Sequence, residues 1–238
     1  FRSPTYDLGY LGGNSTSGYL HPNDSRLYQL KLVLWELLED PVMTSGLNLG
    51  MATFYQYGTW SDADWYRWGS YNERISWMHS DSKGLLRVPF GSTDEISHMD
   101  ELKSWIDGYE SSTNEELRAQ GHTPLGYSIY DSSTSDFDSA KDFFFHPTQG
   151  AITNWCQENW LIVLTDGAET GGGNPVQAIR DLYDYAEEST WVDPFGEPAT
   201  PVRSFVIGLI APDDPDFSGL LVTLNQMADY GDDGIDND

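Results

Sequence analysis

The run Trp160 to Thr165, WLIVLT, constrains this chain more than any other segment, because it is continuously apolar between polar Glu158-Asn159 and Asp166-Gly167. An unbroken apolar run of this length, closed by a turn signal, is what a parallel strand buried on both faces requires. Polar chemistry then begins at its C-terminal end, with Asp166. In open α/β sheets ligands sit outside the carboxyl ends of strands, so Asp166 holds a ligand position. The structural alternative is that its carboxylate caps the following loop through backbone N–H groups.

The remaining segments supply partners for such a strand. Leu27, Leu30, Leu34, Leu37 and Leu38 recur at helical spacing after a cap at Asp24 or Ser25, until Asp40-Pro41 ends the helix. Residues 47–54, LNLGMATF, predict a short buried strand, and residues 84–90, GLLRVPF, an edge strand, since Pro89 cannot donate to a ladder. Helices are expected over Ile96 to Ile106 and Thr113 to Ala119, with another within Thr123 to Phe145 disturbed by a Ser-rich stretch. Pro175 opens a helix through Ala186, Val202 to Ile210 forms another buried strand, and Leu220 to Met227 a final helix. The largely alternating order argues for a mostly parallel sheet with helices on both faces.

Composition narrows the partners. The chain of 238 residues carries 38 acidic side chains against 12 basic ones, a formal charge of -26. That charge repels nucleic acid and anionic membranes, and it favours divalent cations or simply solubility. No run of about 18 apolar residues offers a membrane span. Cys156 is the single cysteine, so no internal disulfide framework exists, and as a small apolar side chain before a buried strand it is expected to pack. Beginning at Phe1 without an apolar leader, the sequence reads as a processed or truncated product with no export signal of its own.

Residues 1–24 read as an irregular Gly-, Ser- and Tyr-rich excursion, 25–230 as one domain, and 55–82 as a long aromatic surface loop within it. Residues 231–238 form an acidic tail. There Asp236 and Asp238 have the spacing of the first two ligands of a calcium loop, but what such a loop needs after them is missing, and a solvated tail is preferred.

The second candidate element is Gly121-His122-Thr123-Pro124-Leu125. Thr123 can cap a helix that starts at Pro124, or lend its hydroxyl oxygen to a hard cation. The "TPL" that opens this helix, together with "TDG" after a buried strand, resembles the von Willebrand A fold. Residues 156–167, CQENWLIVLTDG, are similar to the corresponding segment in PilY-type type IV pilus tip adhesins. HTPLGYSIYDSS resembles that family's helix opening, NLGMATF its second strand, and SFVIGLI with LNQMAD its late strand and helix. The resemblance spans roughly residues 25 to 230 and implies a three-layer α/β/α sandwich on a mostly parallel sheet.

It also implies a function. In that family a metal-ion-dependent adhesion site is built from an Asp-x-Ser-x-Ser loop after the first strand, a Thr and a later Asp. By resemblance Thr123 and Asp166 take the last two places and would hold Mg2+ or Ca2+. The implied protein is an extracellular cell adhesion module, secreted to the cell surface or pilus tip (fimbrium). Its partners would be pilus tip proteins or a host or surface ligand, not nucleic acid, and it would not be an enzyme.

The sequence departs from the pattern at the first, central strand, which is missing together with its Asp-x-Ser-x-Ser loop. An upstream segment, or another chain by strand addition, is expected to complete the sheet. A literal Asp131-x-Ser133-x-Ser135 follows helical sequence and therefore has the wrong setting. Asn14-Ser15-Thr16-Ser17 lacks the acid and belongs to a turn-rich loop.

Enzyme signatures such as G-x-S-x-G, a P-loop or H-E-x-x-H do not occur. Gly171-Gly172-Gly173 before Asn174-Pro175 could hold an anion at a helix start, although a loop beside the metal crevice is more economical. Glu169 in that loop could influence the cation's charge. The alternative function is a metal-independent structural pilus-capping module, or a glycan-binding one using Trp60, Trp65, Tyr66, Trp68 and Trp77. These aromatics can equally pack their own loop.

Overall fold

The computed structural model describes residues 26–54, 84–107, 117, 123–132, 138–146, 150–165, 169, 173–188, 192, 196–209 and 217–233. They are mixed α/β and fall into two compact units. The first carries helices α1 (Arg26–Glu39), α2 (Pro41–Thr44) and α3 (Ile96–Ser104), strand β1 (Asn48–Phe54) and the body of β2 (Gly84–Ser92). The second carries α4 (Leu125–Ile129), α5 (Ala140–Phe145), β3 (Asn159–Thr165), α6 (Pro175–Glu188), β4 (Val202–Gly208) and α7 (Phe217–Asp233). No described helix is long and apolar enough to cross a membrane.

In the first unit, α1 ends where the sequence places its stop. Asp40 then caps α2 by accepting the Val42 N–H at 2.9 Å, while Pro41 fills the first helical position, where a missing N–H costs nothing. A core of Val88, Met99 and Leu102 gathers Leu38, Leu49, Met51 and Trp105 around it. β1 pairs with β2 in a two-stranded sheet. β1 is half-buried rather than the buried strand expected: Asn48 and Ala52 are exposed and its other residues are partly covered. Thr93 ties the turn between α2 and β1 to the end of β2, its hydroxyl donating to the Thr44 carbonyl at 2.5 Å and its N–H to the Leu47 carbonyl at 2.9 Å.

In the second unit β3 and β4 run parallel in the register Asn159↔Val202 to Thr165↔Gly208. The inner face, with Asn159, Val163, Thr165, Val202 and Ser204, is buried. Helix α7 packs on β4 and on α6, and α6 in turn meets α4 and α5. α6 buries Ala178, Ile179, Leu182 and Ala186, and α7 buries Leu220, Leu224 and Met227, single faces at helical spacing.

Four expectations are corrected here. β3 is not buried on both faces: Ile162 is 56% exposed, and across the register Phe205 is 55% exposed. An apolar run looks the same whether one face or both are covered, so the sequence could not separate the two cases. The helix expected within Thr123 to Phe145 is two short helices, α4 and α5, interrupted after Ile129 where Tyr130 turns to an extended conformation. At the second start the capping residue Ser139 gives its hydroxyl to Asp142 Oδ2 at 2.7 Å and makes no side-chain cap. Cys156 is exposed, because it stands in a turn before β3 begins, its Sγ 3.5 Å from Asn154 Oδ1. Lastly, the capping position considered for Thr123 is taken by Pro124, since α4 starts at Leu125.

The expected helix over Thr113 to Ala119, except for Leu117, and the aromatic loop 55–82 lie outside the described residues, as do the excursion 1–24, the cap at Asp24 or Ser25 and the last residues of the acidic tail. Among the described residues β3 has β4 as its one paired strand, and both sheets are two-stranded.

Candidate functional site

The carboxyl end of the parallel pair is fixed by Thr165, which is buried and whose carbonyl accepts the Leu209 N–H at 2.8 Å. Asp166 follows it directly in the sequence but lies outside the described residues. So do Asp236 and Asp238 of the tail and Ser133 and Ser135 of the literal Asp-x-Ser-x-Ser run. Thr123 is described and half-buried, at the entrance to a turn whose next residues, Pro124, Leu125 and Gly126, are buried.

That turn is fastened to the chain between β3 and α6. The Glu169 carboxylate accepts the Gly126 N–H at 2.6 Å through Oε2. Beside it Gly126 stands against Gly173 and Asn174, so close that a Cβ on Gly126 would lie 2.8 Å from the Asn174 nitrogen and 3.0 Å from Gly173 Cα. Asn174 in turn starts α6, its Oδ1 accepting the Gln177 N–H at 3.1 Å and its carbonyl the Ala178 N–H at 2.9 Å. The Gly-rich stretch thus acts, where described, as a close-packing surface whose helix start is capped by its own side chain.

Oxygen donors of the type Thr123 and a carboxylate supply suit a hard cation such as Mg2+ or Ca2+. Glu169, considered above as a charge beside the metal, spends one oxygen on Gly126. Among the described residues no three His, Cys, Asp or Glu side chains come together as a metal-binding group. Asp131 follows α4, not a strand, and its carbonyl accepts from Lys141 Nζ at 2.5 Å.

That lysine belongs to a cluster the sequence reading missed. Lys141 is buried beside the buried Asp142, Nζ to Oδ1 3.2 Å, and the Ser139 hydroxyl donates to Asp142 Oδ2 at 2.7 Å. Tyr130 and Tyr185 present their rings to the ammonium at 5.7 and 5.9 Å. The available signal was Ser139-x-x-Asp142 before an apolar run, the spacing of a capping box.

On the outer face of the β3–β4 pair, Trp160 stacks on Phe205 with centroids 4.8 Å apart and planes 10° from parallel. The Arg203 guanidinium lies 5.4 Å from the Trp160 ring centre.

Comparison of the chain with models of known protein families, with curated proteins and with solved structures finds no match.

Proposed function

We propose that the chain is a von Willebrand A-like module of a type IV pilus system, an extracellular, non-enzymatic adhesion or pilus-tip domain that uses Mg2+ or Ca2+. The observation that carries the reading is the parallel β3–β4 pair with Thr165 at its carboxyl end, one residue before Asp166. The fastening of the Thr123 turn to Glu169 and Gly173 adds to it. In this reading the fold is a von Willebrand A-like three-layer α/β/α sandwich, whose first central strand and Asp-x-Ser-x-Ser loop come from an upstream segment or another chain. Thr123 and Asp166 bind the cation, which supplies an open coordination position for an oxygen of a pilus tip protein or a surface ligand.

The test is calorimetric titration of EDTA-stripped protein with Mg2+ and Ca2+, on this chain and on one extended upstream of Phe1. Binding that is stronger in the longer chain and lost in Asp166→Ala is the expected result. Absence of binding by both would remove the metal reading and leave a metal-independent capping or glycan-binding module, to be followed by quenching of Trp fluorescence with glycans.

A further inference from the structure

The geometry points to Glu169 as a positioning residue for Thr123, acting through the backbone of Gly126; the inference rests on the adhesion-site reading. A Thr hydroxyl is a weak, neutral ligand, and its value to a cation depends on being held at coordination distance before the ion arrives. α4 is short, five residues with no cap from the side chain of its capping residue Pro124. The turn is also held from across the chain, 43 residues away, where the Glu169 carboxylate accepts the Gly126 N–H at 2.6 Å. A hydrogen bond from a backbone N–H to a carboxylate is among the stronger ones a turn can make. It is directional, and its partner Gly126 is pinned from the other side by the backbone of Gly173 and Asn174, leaving no room for a side chain. Asn174 is itself fixed as the start of α6, which buries its apolar face in the second unit. The turn that carries Thr123 is therefore referenced to α6 through Glu169 and Gly173, as a metal ligand is oriented by the groups behind it.

This role separates Glu169 from a ligand. A ligand needs its negative charge, whereas a positioning residue needs only an acceptor oxygen in the right place. Glu169→Gln keeps an acceptor for Gly126 and removes the charge, while Glu169→Ala removes both.

The experiment measures amide hydrogen exchange at Gly126 in metal-free protein, and Mg2+ and Ca2+ affinity by titration, in the longest chain that binds either ion, for wild type, Glu169→Gln and Glu169→Ala. Expected are faster Gly126 exchange and a roughly tenfold weaker affinity in Glu169→Ala, with both largely restored in Glu169→Gln. An affinity that falls equally in both variants would overturn the inference, because charge and not position would then matter. Faster exchange with unchanged affinity would overturn it too, as would unchanged exchange. If wild type binds neither ion, the adhesion-site reading fails and the positioning role with it, while the exchange rates still decide whether the Glu169–Gly126 bond holds the turn.

Discussion

Gly126 and Gly173 meet backbone against backbone: a Cβ built on either would stand 3.0 Å from the other's Cα. Such contacts are tighter than most real side chains make, and on Gly126 the Cβ would also lie 2.8 Å from the Asn174 nitrogen, closer than real Cβ atoms come, so the contact between the Thr123 turn and the approach to α6 depends on the missing side chain of Gly126. Gly126→Ala must push the two segments apart or strain both. The expected cost is about 1–3 kcal/mol, the usual penalty for overfilling a packed site, read from urea unfolding. Gly219→Ala is the control. It lies in α7 with nothing within 4 Å of the added Cβ, and should be neutral or stabilising by up to about 1 kcal/mol from helix propensity.

Lys141→Met tests the buried ion pair. It would leave the Asp142 carboxylate inside the protein with the Ser139 hydroxyl, and the Asp131 carbonyl without its donor at 2.5 Å. Removing one member of a buried pair costs about 3–5 kcal/mol, whereas replacing both with apolar groups of similar volume can be neutral. Chemical denaturation of Lys141→Met, Asp142→Leu and the double variant should therefore show strong coupling, with the double variant more stable than Lys141→Met alone. Additive losses would mean that the two charges do not depend on each other.

How far these relationships could be read from the sequence depends on their range. α6 was legible because Pro175 marks its start and Ala178, Ile179, Leu182 and Ala186 repeat at helical spacing, a signal that burial on one face produces directly. β4 was legible in place but not in exposure. Val202 and Ser204 are buried while Phe205 and Ile207 are open, and the inward positions include a serine where apolar residues face out. Hydrophobicity alone would turn that strand over. Lys141 was illegible for the opposite reason: charged residues are almost always exposed, and its burial is offset by a neighbouring carboxylate, a carbonyl and two rings. The Glu169–Gly126 bond joins positions 43 residues apart, and no local pattern encodes it. Asp166 and Thr123 stand out in the sequence by residue type and context, while the start of the Thr123 helix lies one position later than its Pro suggests.

Ser204 gives a further prediction about the inner face of β4. Gly231 of α7 lies over it, with a Cβ there 2.8 Å from Ser204 Cβ and 2.9 Å from its carbonyl oxygen. Among the described residues the Ser204 hydroxyl is buried and has no hydrogen-bond partner. Removing a buried, unsatisfied hydroxyl costs no hydrogen bond and recovers its desolvation penalty, so Ser204→Ala should leave stability unchanged or raise it by about 1 kcal/mol. Gly231→Ala should lower it by about 1–3 kcal/mol, because the added methyl meets β4 rather than a flexible side chain. Thermal unfolding of the two variants checks both signs.

The first unit offers a prediction in pH. Lys103 at the end of α3 donates to Glu39 at the end of α1 at 2.5 Å, with its ammonium 5.6 Å from the Trp35 ring centre. The hydrogen bond from Lys103, and then its charge, lower the Glu39 pKa below the ordinary 4.5. Lowering the folded-state value favours the folded form only where the carboxylate is ionised. The contribution is thus present above the unfolded pKa and is lost as pH falls through the lowered one. Glu39 is exposed, so the effect is small and screened by salt. Lys103→Met keeps an apolar stem against Trp35 and removes the charge, and should bring the Glu39 pKa back up towards 4.5, read by NMR titration of its side chain. Glu39→Gln should lower stability slightly near neutral pH at low salt and match wild type once the pH is below the folded pKa. A difference that persists there would assign the effect to packing instead of charge.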